Sequence, residues 1–182
     1  NEGVWSAMRA ARRMSEGEER EILSRMLKDN VAQLAVLQVV SPDPRGGAPC
    51  ICVANTHLYS NPSAPDVKLW QCLALVNEVE NLVNAPPPAR PLPVMLCGDF
   101  NSSPDSAVYE LLASRQLSAS HPELNHPSAH QLSALLPNLL DEGGLRHSLA
   151  LESAYGAVMG QEPPYTNFTA QARARDAAVA RR

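Results

Sequence analysis

Two oxygen-bearing side chains, Asp99 and Asn101, follow an apolar run at residues 93–97 and a glycine. In an extended backbone, side chains at positions i and i+2 point to one side, while the side chain between them, here Phe100, points to the other. A carboxylate and an amide oxygen that converge in this way suit Mg²⁺, which prefers oxygen ligands and keeps water for a phosphate. Aspartate and asparagine also form turns, here before Pro104, so the local chemistry leaves both interpretations open.

A histidine occupies a similar position at the end of an earlier apolar run. Residues 31–40 and 50–58 are apolar and rich in strand formers, and a turn-rich loop at residues 41–47 separates them. We expect two adjacent antiparallel strands of a buried sheet. His57 then lies at the end of a strand, where functional sites gather, although a single histidine in such a place is more often a structural group.

Three stretches have the apolar spacing of helices that pack against such a sheet. They are residues 18–28, a stretch that opens at Pro65 and continues to residue 83, and residues 106–116. Proline suits the first turn of a helix, and Trp70 in the second stretch is expected in the core. The order from residue 50 to residue 97 is therefore strand, helix, strand.

The remaining stretches have weaker patterns. The proline-rich residues 86–93 predict a stiff, extended connection, and residues 163–169 are a short strand candidate. His121, His126 and His130 lack the spacing of a helical zinc pair and are interpreted as loop residues. The last thirteen residues are rich in alanine and arginine and have little to bury, which predicts a solvated tail.

The composition is that of one domain with an ordinary share of apolar residues. The chain has 182 residues, 45% hydrophobic and 19% charged, with a formal net charge of -4. Such a surface does not attract polyanions as a whole, so a nucleic acid would be held locally or through a metal.

No apolar stretch approaches the roughly 20 residues of a membrane span. The four cysteines lack metal-type spacing and are expected in the core. We expect a cytoplasmic protein, with the nucleus as a second compartment.

Several motifs, taken together and in order, resemble the exonuclease-endonuclease-phosphatase superfamily. They are Asn55-Thr56-His57-Leu58, Gly98-Asp99-Phe100-Asn101-Ser102 and the strand-helix-strand order between them. A closer resemblance, to poly(A) deadenylases of the carbon-catabolite-repressor type, extends over roughly residues 20–169. It is carried by Lys28-Asp29-Asn30-Val31-Ala32, Ile51-Cys52-Val53-Ala54, Asp66-Val67-Lys68-Leu69, Pro104-Asp105-Ser106-Ala107, His147-Ser148-Leu149, Ser153-Ala154-Tyr155 and Pro164-Tyr165-Thr166-Asn167-Phe168-Thr169.

The resemblance implies both a fold and an activity. The fold is α/β (α+β), a partial deoxyribonuclease-I-like sandwich of two sheets flanked by helices, over residues 1–169, with a divergent tail at residues 170–182. The activity is Mg²⁺-dependent removal of adenylates from the 3′ end of messenger RNA. The partners would be poly(A) RNA and other subunits of a deadenylase complex.

The same resemblance assigns roles to five residues. The acid matching Asp99 helps to hold the metal and to activate water, and the amide matching Asn101 steadies the charge on the phosphoryl oxygens and is a further metal ligand. His57 matches a histidine that hydrogen-bonds the scissile phosphate. Pro62 matches a proline that packs against a substrate adenine, and Asn55 is assigned to substrate binding.

The chain also departs from the pattern of these deadenylases. It has no strand that carries the metal-binding glutamate, and residues 170–182 do not resemble the segment that brings the remaining catalytic residues, Asp176 being the only acid there. We therefore expect a partial domain with weak or no activity by itself. Two alternatives remain open: a noncatalytic RNA-binding or protein-binding module of messenger decay, and a related phosphodiesterase of the Angel or nocturnin type.

Overall fold

The computed structural model describes residues 15–40, 48–85, 92–127, 132 and 144–166. In chain order the elements are α1 (Glu16–Met26), β1 (Ala32–Gln38), β2 (Cys50–His57), α2 (Pro65–Asn84), β3 (Val94–Asp99), α3 (Ala107–Ser114), β4 (Gln116–Leu117), a 3-10 helix (Pro122–Asn125), β5 (Leu145–Arg146) and α4 (Ala154–Met159). The chain divides into two compact units, residues 1–151 and residues 152–182.

The larger unit is built on a three-stranded sheet in the order β1-β2-β3. β1 and β2 pair antiparallel, as the two apolar runs predict, with Gln38 opposite Cys50. β2 and β3 pair in parallel. This is possible because α2 connects them and brings the chain back to the edge of the sheet at which β2 begins. The predicted strand-helix-strand order is confirmed.

One face of the sheet and one side of α2 share the main apolar core. Along β2, alternate residues Cys52, Ala54 and Thr56 are buried, as the two-residue period of a strand requires. Cys52 and Ala54 belong to the same cluster as the buried apolar residues of α2, namely Val67, Leu69, Trp70, Cys72, Leu73, Leu75, Val76 and Val79. The predicted core position of Trp70 is confirmed.

The other face of the sheet is more open. Leu37 of β1 is 52% exposed and Met95 of β3 is 51% exposed. Asn55 and His57, which alternate with the buried residues of β2, are exposed as well. The polar residues of interest therefore lie on the face opposite the core.

α1 begins and ends earlier than the apolar spacing predicts. Ser15 caps its first turn, and Glu18 reaches back to the Ser15 backbone in a reciprocal capping box, so the helix starts at Glu16. Its end is set by the extended conformation of Leu27. Arg25, in its last turn, donates hydrogen bonds of 2.6 and 2.8 Å to the carboxylate of Asp66 and so ties α1 to α2.

A second, two-stranded sheet consists of β4 and β5 and was not predicted. The two strands pair antiparallel through Gln116 with Arg146 and Leu117 with Leu145. Two residues per strand are too few to give a periodic pattern. The His147 ring next to β5 is buried, and its Nε2 lies 2.9 Å from the carbonyl oxygen of Leu111 in α3.

The remaining sequence predictions have different outcomes. The described part of the strand candidate, residues 163–166, contains no strand. His121 and His126 lie outside helices and strands, as predicted, on either side of the 3-10 helix. His121 is buried and accepts a hydrogen bond from the Glu123 backbone. His130, the proline-rich residues 86–91 and the tail at residues 170–182 lie outside the described residues.

The smaller unit contains α4, which runs from Ala154 to Met159. Ser153 caps its first turn and Gly160 ends it in the left-handed conformation.

Helices together with a mixed sheet and a two-stranded sheet place the chain in the α/β class, so the predicted fold class is confirmed. Within the described ranges, no helix is both long and apolar enough to cross a membrane.

Candidate active site

His57 and Asp99 meet where β2 and β3 end. They are the last residues of the two strands and lie opposite each other in the parallel register. Side chains paired in this way lie on the same face of a sheet. Nε2 of His57 is 3.9 Å from Oδ2 of Asp99, and the side chains are 67% and 57% exposed. An imidazole and a carboxylate therefore face solvent together at the carboxyl edge of the sheet, where open α/β sheets bind ligands.

Asn101 reaches this edge by a route that differs from the predicted one. β3 ends at Asp99, and the backbone of Asn101 is left-handed, with φ of 46°. The alternation of an extended strand therefore does not apply to the pair. The Asn101 backbone N–H instead donates to Oδ1 of Asp99 at 2.9 Å, and its side-chain amide donates to the carbonyl oxygen of Leu58 at 2.8 Å. A turn closed by these bonds, rather than strand geometry, brings the two residues together.

The glycine before Asp99 is required by the close approach of the two strands. Gly98 has φ of 127°, and a Cβ atom at this position would lie 1.8 Å from the carbonyl oxygen of Thr56. Only a residue without a side chain adopts this backbone without strain. The same approach allows the backbone N–H of Leu58 to donate to the carbonyl oxygen of Asp99 at 2.9 Å.

Residues beneath the site hold the two strand ends, and sequence reasoning did not identify them in this role. Nζ of Lys68 donates to the carbonyl oxygen of Asn101 at 2.8 Å. One turn along α2, Gln71 accepts from the backbone of Tyr59 and donates to Asn30, whose amide donates to the carbonyl oxygen of His57 at 2.8 Å. The signals in the sequence are that Lys68 and Gln71 interrupt the otherwise apolar face of a helix and that Lys68 belongs to the motif Asp66-Val67-Lys68-Leu69.

Of the two predicted substrate-binding residues, Asn55 lies on the same strand as His57 and Pro62 lies in the loop that follows that strand. Asn55 is exposed on β2, two residues before His57 and on the same face, and pairs with Cys97 of β3. Pro62 lies in an exposed turn between β2 and α2, in which the Ser63 backbone donates to the side chain of Asn61 at 2.9 Å. Substrate contacts of Asn55 and Pro62 stay predictions.

The donor atoms at the site fit a hard cation in type but are few. The Asp99 carboxylate and Oδ1 of Asn101 are oxygen donors, and Mg²⁺ is commonly held by one or two carboxylates with water and phosphate completing its shell. Across the described part of the chain, no group of three or more His, Cys, Asp or Glu side chains is placed to hold a metal ion. These residues can therefore provide one side of a Mg²⁺ site.

Comparison with known proteins identifies relatives whose names describe nucleases and phosphatases. The chain is 35% identical over 148 residues to carbon catabolite repressor protein 4 homolog 2 of Arabidopsis thaliana, covering 79% of this chain and 23% of that protein. It is 33% identical over 150 residues to the 3′-5′-exoribonuclease subunit Ccr4 of the CCR4-Not complex of Kluyveromyces lactis, covering 79% and 17% of the two proteins. The predicted resemblance to proteins of the carbon-catabolite-repressor type is confirmed. The chain spans a quarter or less of these two relatives.

A solved structure whose title names a phosphatase is similar to this chain in fold. The structure of ANGEL2, a 2′,3′-cyclic phosphatase in complex with adenosine-2′,3′-vanadate, matches with a TM-score of 0.56 and 28% identity. The match covers 76% of this chain and 44% of the ANGEL2 chain. The profile of the Endonuclease/Exonuclease/phosphatase family matches residues 27–182, most of the chain. The chain belongs to the endonuclease/exonuclease/phosphatase family.

Proposed function

We propose that this chain carries part of the active site of a Mg²⁺-dependent 3′-5′ exoribonuclease that acts on poly(A). The observation that carries the proposal is the pairing of His57 with Asp99 in register at the ends of two parallel strands, with Nε2 and Oδ2 3.9 Å apart and both side chains exposed. An exposed carboxylate beside an exposed imidazole suits a cation and a phosphate that arrive from solvent. Family membership supports the reaction class, and the names of the relatives support the RNA substrate.

Each of the three residues has a separate task in this proposal. Oδ2 of Asp99 would ligate the metal, because Oδ1 already accepts the backbone N–H of Asn101. A bound Mg²⁺ would supply a nucleophilic water and neutralise phosphate charge. Nε2 of His57 would donate to a phosphate oxygen, which fixes the phosphorus opposite the carboxylate.

Asn101 has donor and acceptor capacity left for the reaction. A side-chain amide has two N–H donors and one oxygen acceptor. One N–H is used by the carbonyl oxygen of Leu58, and the other donor and Oδ1 have no partner among the residues described. The second N–H would stabilise charge that develops on the phosphoryl oxygens, a role in which a fixed neutral donor is effective.

We propose that this polypeptide alone is a weak catalyst. Residues that act as one unit are strongly non-additive, so an incomplete set loses orders of magnitude in rate. Within the described ranges, Asp99 does not belong to any group of three or more His, Cys, Asp or Glu side chains that could hold a metal. The partners we propose are poly(A) RNA and subunits of a complex like that of the Kluyveromyces lactis relative, and the compartment is the cytoplasm, with a nuclear pool.

The test uses an isosteric variant that removes the carboxylate, Asp99→Asn. Mn²⁺ added to the ¹⁵N-labelled full chain should broaden the amide signals of His57, Asp99 and Asn101 first, and Asp99→Asn should abolish that selectivity. With protein in excess over 5′-labelled oligo(A), shortening from the 3′ end should require Mg²⁺ and fall about 100-fold in the variant. Asp105→Asn is the matched control, because Asp105 is another exposed aspartate of this loop region and accepts a hydrogen bond from Ser103.

Two results would contradict the proposal. One is broadening by Mn²⁺ that is centred elsewhere or is equal in Asp99→Asn and Asp105→Asn. The other is oligo(A) shortening that survives EDTA or the Asp99→Asn change. Binding of oligo(A) without selective Mn²⁺ broadening and without hydrolysis would favour the noncatalytic RNA-binding module.

A second candidate is a phosphatase that acts on 2′,3′-cyclic phosphate ends, as the ANGEL2 match suggests. The same three residues would serve it, because the phosphate in both reactions is anionic and is attacked by water. Parallel assays with oligo(A) ending in a 3′-hydroxyl and with oligo(A) ending in a 2′,3′-cyclic phosphate separate the two. Mononucleotide release from the first supports the exoribonuclease, whereas opening or removal of the cyclic phosphate at constant length supports the phosphatase.

A further inference from the structure

Lys68 is a buried cation in a position that two physical effects disfavour. It is 8% exposed, and an ammonium group loses hydration when it is buried, which costs free energy unless it is paired. It is also the fourth residue of α2, near the helix N-terminus, where the helix dipole disfavours a positive charge. A lysine kept in such a place needs a compensating interaction.

The compensating interaction is a hydrogen bond to the candidate site itself. Nζ of Lys68 donates to the carbonyl oxygen of Asn101 at 2.8 Å. Asn101 has a left-handed backbone, with φ of 46°, which an asparagine adopts more readily than most residues but still at some cost. Its other two hydrogen bonds go to Asp99 and Leu58, both at the strand ends. Among these three bonds, the one from Lys68 comes from a separate element of the core.

The next turn of the same helix supports the opposite strand end. Oε1 of Gln71 accepts the backbone N–H of Tyr59 at 2.8 Å, and Nε2 of Gln71 donates to Oδ1 of Asn30 at 3.1 Å. The Asn30 amide in turn donates to the carbonyl oxygen of His57 at 2.8 Å. Lys68 and Gln71 are three residues apart and so lie on one side of α2. This side of the helix therefore holds the backbone at the ends of β2 and β3.

We propose that Lys68 is a positioning residue for the candidate metal and phosphate site. Its ammonium group fixes the peptide of Asn101 in the left-handed conformation, and this conformation keeps the Asn101 amide and the Asp99 carboxylate at the edge of the sheet. Lys68 itself contacts neither substrate nor metal. Binding of a metal and a phosphate at this edge rests on the proposed function, whereas the effect of Lys68 on the backbone of Asn101 does not.

The central variant is Lys68→Met, which keeps the length of the buried stem and removes the ammonium group. Lys28→Met is the matched control, because Lys28 is the only other lysine of the chain and its Nζ lies over the ring of Tyr59, 5.4 Å from the centroid. Lys68→Arg is the conservative variant, because a guanidinium group can also donate to a carbonyl oxygen. All three are made in the full chain.

Two readouts separate positioning from general stability. The first is the three-bond coupling between the amide and α protons of Asn101, with its Cα and Cβ chemical shifts, which report the left-handed conformation without any metal. The second is the Mn²⁺ affinity from selective broadening. Lys68→Met should lose the left-handed signature and about 10-fold in Mn²⁺ affinity, whereas Lys28→Met should change neither and Lys68→Arg should recover both in part.

The outcomes distinguish this inference from the proposed function. A folded Lys68→Met protein that keeps the Asn101 signature overturns the positioning role. A variant that loses the signature, in a chain that binds no Mn²⁺ at the site even as wild type, supports positioning and refutes the metal site. If Lys68→Met does not fold, ¹⁵N-lysine spectra of the wild type decide. An ammonium signal of Lys68 that exchanges with water as fast as that of Lys28 overturns the inference, and a slowly exchanging signal coupled to the Asn101 carbonyl carbon supports it.

Discussion

Replacement of Gly98 by alanine tests whether the close approach of β2 and β3 sets the geometry of the site. The new Cβ atom would lie 1.8 Å from the carbonyl oxygen of Thr56, and real Cβ contacts essentially never fall below 3.0 Å. One strand must therefore move by at least 1.2 Å, the difference between these two distances. A shift of that size would stretch the 2.9 Å bond between the Leu58 N–H and the Asp99 carbonyl oxygen beyond hydrogen-bonding distance.

The expected loss of stability has two parts. An alanine with φ near 127° costs about 1–3 kcal/mol in backbone strain. The steric displacement of the strand costs about 1–3 kcal/mol more, as overpacking does elsewhere. Gly98→Ala should therefore lower the free energy of unfolding by about 2–6 kcal/mol, a large share of the roughly 5–15 kcal/mol of an ordinary domain.

Urea denaturation followed by circular dichroism measures this loss, and two other glycines provide matched controls. Gly160 has φ of 74°, and a Cβ atom added there would meet nothing within 4 Å, so Gly160→Ala measures the cost of a positive φ without a clash. Gly17 is helical, and the nearest atom to an added Cβ is 4.0 Å away, so Gly17→Ala should stabilise α1 by about 0.5–1 kcal/mol. From the most to the least stable protein, the order should be Gly17→Ala, wild type, Gly160→Ala and Gly98→Ala.

A Gly98→Ala protein whose unfolding free energy lies within about 1 kcal/mol of the wild type would refute both the strain and the clash predicted at this position. The backbone at this position would then not have a positive φ, and the close approach of the strand ends at which Asp99 pairs with His57 would need another explanation. A Gly98→Ala protein that is destabilised no more than Gly160→Ala would leave the strain in place and refute the clash with Thr56.

Three further predictions concern the rest of the larger unit. Asp66→Asn should destabilise the protein by about 3 kcal/mol in the same urea assay, because the Asp66 side chain is fully buried against Arg25; a change below about 0.5 kcal/mol would show that the pair is not formed. Hydrogen bonds from Ser15 hold the pKa of Glu18 below its ordinary value of 4.5. The contribution of the Glu18 carboxylate to the stability of α1 is therefore present above pH 4.5 and is lost as the pH falls through the lowered pKa. In an NMR titration Ser15→Ala should raise the pKa of Glu18 towards 4.5, and an unchanged pKa would exclude the capping box. Burial raises the pKa of the Cys72 thiol to about 12, so thiol reagents should label Cys72 only in urea. Labelling of Cys72 in the native protein would contradict its burial.

Much of the larger unit was predictable because its signals are local. The apolar runs at residues 31–40 and 50–58 and the three-residue spacing after Pro65 predicted β1, β2 and α2 with bounds correct to within a few residues. Each of these signals depends on a period of two or about 3.6 residues repeated several times. Short elements without repeats, such as β4, β5 and α4, were missed for the same reason. Of the strand candidate at residues 163–169, the described part, residues 163–166, forms no strand, and its two prolines cannot donate hydrogen bonds to a neighbouring strand.

The residue types of the site were determined by the sequence alone: an acid, an amide and a histidine that follow apolar strands. The tertiary structure decided how they meet. Asp99 and His57 are neighbours because two strands pair in a particular register. Asn101 joins them through a left-handed turn, and the carbonyl oxygen of this turn accepts a hydrogen bond from Lys68 of α2, 33 positions earlier in the chain. Such contacts join residues more than thirty positions apart, and no local period in a chain encodes a pairing of that kind, because it depends on which faces of the folded elements come together.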